Sequence, residues 1–191
     1  MNLLPIPRSI TEHDGVYPLV DQKLICLNGS DPQALRFSAQ RFQQVLKKEC
    51  ALDWPLAAGW VLPLAETGLL LRIDPIEVPH AQGYHLSITT LGMQIVGHDA
   101  AGVFYGVCTL NQLLQQVQDQ QLPCLEIADW PDFPARGVML DISRDKVYKM
   151  ETLYELIDRL ASWKVNQVQL YTEHTFAYRN QPDVWAKASP L

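Results

Sequence analysis

The stretch Asp129-Trp130-Pro131-Asp132-Phe133-Pro134-Ala135-Arg136-Gly137-Val138-Met139-Leu140-Asp141-Ile142-Ser143-Arg144 divides this chain. Its two prolines fix their own φ and push the residue before each away from helix. With the flanking aromatics they make a stiff, extended joint. A short apolar run, Val138-Met139-Leu140, follows at once and reads as a buried strand. It delivers Asp141 and Arg144, a carboxylate and a guanidinium three residues apart, at its C-terminal end. Folds of the α/β kind gather their ligand sites at that end of their strands. The chain before residue 129 therefore reads as one domain, and the chain after 136 as the beginning of another.

Downstream of the joint the pattern is β-α-β. Leu153, Leu156, Ile157, Leu160 and Ala161 recur at helical spacing, which predicts a helix over residues 151–163. Lys164-Val165-Asn166 ends it, and Gln167–Tyr171 is expected as the next parallel strand after a right-handed crossover. The first strand–helix turn carries no glycine-rich phosphate loop, so a dinucleotide or P-loop reading has no support. Glu173 and His174 follow the second strand, again at its C-terminal end.

Upstream, residues 1–22 read as an extended lead-in punctuated by Pro5, Pro7, Gly15 and Pro18. Lys23–Leu27 is a predicted strand. Asp31 is the expected N-cap of a helix that begins with Pro32 and runs to about Cys50, with Leu35, Ala39, Phe42, Val45 and Leu46 on one face. Residues 51–68 read as loop, and Leu69–Asp74 as a strand. Tyr84–Thr89 and Met93–Gly97 form a predicted hairpin, with Gly92 available for a positive φ. Tyr84, Leu86 and Ile88 alternate with His85, Ser87 and Thr89, so one face of that strand is wet or covered by something polar. Ala101–Val117 carries an apolar helical stripe, and Gly102 and Gly106 allow it close to the sheet. Cys124–Ile127 closes a mixed, mostly antiparallel sheet with two helices on one face. The fold class is α+β, followed by the β-α-β unit.

At 191 residues and 48% apolar composition the chain can bury a core. A net charge of −6 with no Lys/Arg cluster argues against a nucleic-acid or anionic-membrane partner. No apolar run approaches the roughly 20 residues that span a bilayer. Met1–Arg8 lacks a basic region followed by an apolar core, so a cytoplasmic location is expected. Cys26, Cys50, Cys108 and Cys124 are widely spaced, show no metal-ligand pattern, and read as reduced, buried thiols. No metal or organic cofactor is implied.

Several side chains have two readings. Asp141 and Arg144 either build a ligand site or only stabilise a loop. Glu173 and His174, with Tyr171 and Tyr178 nearby, form either an acid/base dyad or the rim of a site. Trp130, Phe133, Trp163 and Trp185 either stack on the apolar face of a ligand or pack the core and the joint. His80, His85 and His98 read as solvated or structural, and Arg136 as an anchor of the joint.

The joint and strand, an aspartate and prolines before Arg136-Gly137, then an apolar run, then Asp141-Ile142-Ser143-Arg144, resemble the entry into the catalytic barrel of family 20 glycoside hydrolases, the β-N-acetylhexosaminidases. Gly83–Ile88 and Ala100–Val107 look like the small α+β domain that precedes that barrel, and Lys164-Val165-Asn166 before a strand fits as well. The resemblance implies an accessory domain over residues 1–130 and, over 131–191, the first β-α-β of an incomplete (β/α)8 barrel. Such a barrel needs roughly 200 residues or more, so a piece of a longer protein is expected.

The resemblance also implies roles. Arg144 would bind hydroxyls of a terminal N-acetylhexosamine, a task that suits its rigid fork of donors, and Asp141 would hold that fork. Where the family carries a His-x-His-x-x-Asp-like run, this chain reads Gln169-Leu170-Tyr171-Thr172-Glu173-His174, which points to a divergent branch. The family hydrolyses by substrate assistance, using an adjacent Asp-Glu pair on a later strand. Residues 137–191 contain no such pair, so the chain alone is expected to be inactive. The alternative is a non-catalytic module of the same descent, for carbohydrate binding or assembly. Uncovered barrel edges would make self-association a further expectation.

Overall fold

Tyr84, Leu86 and Ile88 are buried while His85 is exposed and Ser87 half-buried, so the central strand presents one dry and one wet face as its alternation requires. The computed structural model describes residues 1–59, 62–142, 147–172 and 177–187. The chain falls into two compact units, Met1–Pro134 and Ala135–Leu191.

The first unit contains β1 (Ser9–Pro18), β2 (Ile25–Asn28), α1 (Gln33–Cys50), β3 (Leu56–Ala58), β4 (Leu69–Ile73), β5 (Tyr84–Ile88), β6 (Met93–Gly97), α2 (Ala100–Leu114) and β7 (Gln121–Asp129). Its seven strands lie in the order β1-β7-β5-β6-β4-β2-β3. The sheet is mixed, as expected, but not mostly antiparallel. Pairs β1–β7, β5–β6 and β5–β7 are antiparallel, whereas β2–β3, β2–β4 and β4–β6 are parallel. The parallel half arises because α1 carries the chain back to the end where β2 began, so β3 re-enters beside it in the same direction.

Three local expectations need correction. The lead-in holds a ten-residue edge strand, β1, bulged between Glu12 and Val16. Nearly every β1 side chain is exposed, so no alternation marks it. Residues 51–68 are not all loop, since they include β3, and Trp54 beside it is fully buried. Its indole stands 6.1 Å from the Phe42 ring and donates from Nε1 to Val20 O at 2.9 Å. At the start of α1 the cap position falls on Pro32, and no side chain, Asp31 included, caps the helix.

Both helices pack on the same face of the sheet and on each other. Leu35, Phe42 and Leu46 of α1 join Val103, Val107 and Leu110 of α2 over Leu71, Leu86 and Ile95 of the sheet. Asp99 caps α2 through Oδ1, which accepts from Gly102 N at 2.8 Å. Glycine at 102 is a matter of space. A Cβ there would stand 2.0 Å from Gly83 O, and one at 106 would stand 2.6 Å from Ile95 Cγ2. Gly92 likewise turns the β5–β6 hairpin without a positive φ; its Cβ would meet Leu64 O at 2.7 Å. The four cysteines are free and buried.

The second unit contains β8 (Gly137–Asp141), α3 (Met150–Ser162), β9 (Gln167–Tyr171) and the short α4 (Pro182–Trp185). Helix α3 stops where the sequence predicts, with Lys164 at φ +63° and Val165 N donating to Leu160 O at 3.0 Å. Only Leu160 of its stripe is buried, and Ile157, Met139 and Leu170 remain exposed.

Candidate functional site

β8 and β9 run parallel and in step, pairing Gly137 with Gln167, Val138 with Val168 and Asp141 with Tyr171. A parallel pair brings two C-terminal ends to one edge, and here that edge carries Asp141 and Tyr171 side by side. Ile142 N donates to Tyr171 O at 3.0 Å, extending the ladder one step beyond the strands. Asp141 is exposed at this edge. Arg144, Glu173 and His174 lie outside the described residues. Trp185 donates from Nε1 to Tyr178 O at 2.8 Å. Trp163 and Phe133 are both exposed.

The opposite, N-terminal edge is tied by Arg136. Its backbone N donates to Asn166 Oδ1 at 2.8 Å and its Nε to Lys164 O at 2.9 Å, while its carbonyl accepts from Asn166 N and Gln167 N. Arg136 thus fixes the start of β8 to the turn between α3 and β9.

The joint itself is held by Trp130 and His80 together with Arg8, Asp132 and Gln82, which the sequence did not single out. Trp130 stacks on His80 with ring centroids 4.2 Å apart and planes 15° from parallel, and the Arg8 guanidinium lies 4.7 Å from the indole centroid. Arg8 also donates from Nε to Trp130 O at 2.8 Å and pairs with Asp132. Gln82 Nε2 donates to Pro134 O at 3.0 Å. Trp130 is therefore joint packing, and His80 is structural. His98 is structural as well, its Nδ1 2.8 Å from Val78 O. Contacts such as Gln82 to Pro134, 52 residues apart, and Arg8 to Trp130, 122 apart, leave no local signal.

Inside the first unit, the buried Tyr84 hydroxyl lies 2.7 Å from Thr109 Oγ1 and 3.3 Å from Asp129 Oδ2. Burial raises its pKa well above the usual phenol range, and the Asp129 charge adds to that. This triplet links β5, α2 and the end of β7, and so fixes the strand that feeds the joint. Among the described residues no group of three or more His, Cys, Asp or Glu side chains stands where it could hold a metal ion. No described helix is long and apolar enough to cross a membrane.

Residues 1–130 match the family model described as glycosyl hydrolase family 20, domain 2. The β-hexosaminidase of Porphyromonas gingivalis is 27% identical over 94% of this chain, which spans 23% of that protein. The N,N'-diacetylchitobiase of Vibrio harveyi is 29% identical over 88% of this chain, which spans 18% of it. A mutant Streptomyces plicatus β-hexosaminidase in complex with product GlcNAc superimposes with a TM-score of 0.81 at 24% identity; the likeness covers 97% of this chain and 38% of that one. At that identity the superposition establishes the fold. The chain thus spans less than a quarter of the length of those two sequence relatives. Its mixed sheet backed by two helices is the architecture of domain 2, and the chain belongs to glycoside hydrolase family 20.

Proposed function

We propose that this chain is the N-terminal part of a longer β-N-acetylhexosaminidase-like glycosidase. Residues 1–130 form the accessory domain, and residues 131–191 begin a (β/α)8 catalytic barrel. The intact protein releases terminal N-acetylhexosamine by the substrate-assisted, retaining route. Arg144 grips sugar hydroxyls, Asp141 holds its guanidinium in place, and Glu173 and His174 line the rim of the sugar site.

The observation that carries this reading is the parallel, in-step pairing of β8 and β9, which sets Asp141 at a shared C-terminal edge directly after a matched domain 2. A two-stranded parallel sheet with Met139 and Leu170 exposed is what further barrel strands would cover. The likeness to the Streptomyces enzyme also runs past the joint. The 191-residue chain, lacking an Asp-Glu pair after residue 137, does not turn over substrate, and its bare apolar surface makes it self-associate.

The test compares this chain with the protein extended through the following reading frame, on a chromogenic N-acetyl-β-glucosaminide. Turnover is expected only from the longer form. Arg144→Ala should lower kcat/KM there about 100-fold, the equivalent of one charged hydrogen bond of roughly 3 kcal/mol. Turnover by the 191-residue chain itself would sink the claim of a missing catalytic pair. An inactive longer form would favour the non-catalytic module.

A further inference from the structure

The sheet face turned away from α1 and α2 is not flat. Two cross-strand rows share it: Thr11, Glu126, Ser87 and Gln94 in one, and Ser9, Ala128, His85, Val96 and Arg72 in the other. A polar outer face is the rule for a sheet solvated on one side, so polarity alone carries nothing. Two further features set this face apart. It carries a half-open hollow of about 260 Å³ whose lining includes Ser9, Thr11, His85, Ser87, Gln94 and Glu126. It is also walled at one end. Val96 belongs to the outer row yet is only 2% exposed, and the turn from Asp74 to Val78 contributes Glu77 to the rim.

That turn is rigidly built. Asp74 Oδ1 accepts from Ile76 N and Glu77 N at 3.0 and 3.1 Å, and Arg72 pairs with both Asp74 and Glu77. The hollow therefore has a fixed wall, an apolar spot at Val96, and three hydroxyls, an amide, an imidazole and two carboxylates, while Leu86 and Ile127 turn their side chains to the core behind it. No lysine or arginine lines it, and Arg72 in the outer row is already paired with Asp74 and Glu77, so an anion would meet the Glu126 carboxylate instead of an arginine. Carboxylate, amide and hydroxyl groups are the partners that adjacent sugar hydroxyls take, each offering acceptors or both functions.

We propose that the outer face of the first unit binds a neutral, hydroxyl-rich ligand, a short oligosaccharide, with Glu126, Ser87, Gln94 and His85 as its hydrogen-bonding floor. With no aromatic plate in the lining, binding is weak, with Kd roughly millimolar. The choice of an N-acetylhexosamine oligomer as the first probe rests on the family 20 reading. The site itself does not.

The experiment titrates the 191-residue chain with N,N'-diacetylchitobiose by calorimetry, and with cellobiose and maltose in parallel. Saturable binding is expected, weakened at least fivefold by Glu126→Gln and by Ser87→Ala. The melting temperature should hold, because both side chains stand on the outer face. Binding of cellobiose or maltose but not of diacetylchitobiose would uphold the site and refute the sugar drawn from the family. Absence of saturable binding to all three, or binding indifferent to both variants, would overturn the proposal. No turnover is involved, so an inactive longer protein would leave this result standing.

Discussion

Gly102→Ala is a test whose sign is decided by one distance. On helix propensity alone, the change should stabilise α2 by about 1 kcal/mol. The structure predicts the reverse, because the new Cβ would sit 2.0 Å from Gly83 O and 3.0 Å from Gly83 C. Ordinary contact at the carbonyl oxygen requires a retreat of about 1.4 Å, and the obstacle is backbone that a rotamer change does not relieve. Overpacking of this kind costs about 1–3 kcal/mol and outweighs the propensity gain. Gly83 leads directly into β5 and follows Gln82, whose backbone N donates to Asp99 Oδ2 and whose side chain reaches Pro134 O. The displacement would therefore loosen the α2 cap and the joint together. Urea unfolding of Gly102→Ala beside Gly106→Ala is the assay. At residue 106 the nearest atom is a side-chain methyl, Ile95 Cγ2 at 2.6 Å, so the penalty should be smaller. A Gly102→Ala variant as stable as the parent, or more so, would refute the close approach of α2 to β5.

Tyr17 is 2% exposed, and its hydroxyl finds no hydrogen-bond partner among the described residues, so Tyr17→Phe should raise stability by about 1 kcal/mol in a urea titration. Burial pushes the Tyr17 phenol up to about 12, while the unfolded chain ionises near 10. Its contribution is thus fully present below pH 10 and is lost as pH rises toward 12. The phenylalanine variant should show a shallower alkaline decline in denaturant midpoint. Asp74 is held below the usual carboxylate range first by the Glu77 N–H, opposed by desolvation, with the Ile76 N–H and Arg72 adding to the lowering. A depressed folded pKa means that its contribution is present above about pH 4 and lost as pH falls through the folded value. Asp74→Asn should therefore flatten the acid limb of a stability-against-pH curve. Trp130→Ala removes the stack on His80 and the Arg8 contact, at a cost of about 1–2 kcal/mol, and should speed proteolysis between residues 129 and 136. Unchanged cleavage there would mean that the joint is held by its prolines alone.

Local physics made much of this chain legible. The alternation in Tyr84–Ile88, the helical stripe from Leu153 to Ala161 and the stop at Lys164 each arise within a few residues, where steric and burial preferences act directly. Two of the family motifs, Gly83–Ile88 and Ala100–Val107, fall within the residues that match domain 2. Tertiary structure alone decided what local pattern does not encode. β1 is an edge strand with nearly all side chains wet, so its strand character exists only through pairing with β7. The parallel half of the sheet depends on where α1 returns the chain, which hydrophobic period cannot express. The clamp of Arg8, His80 and Trp130 and the hollow on the outer face join residues far apart in the chain, and their chemistry exists only once the sheet has set its register.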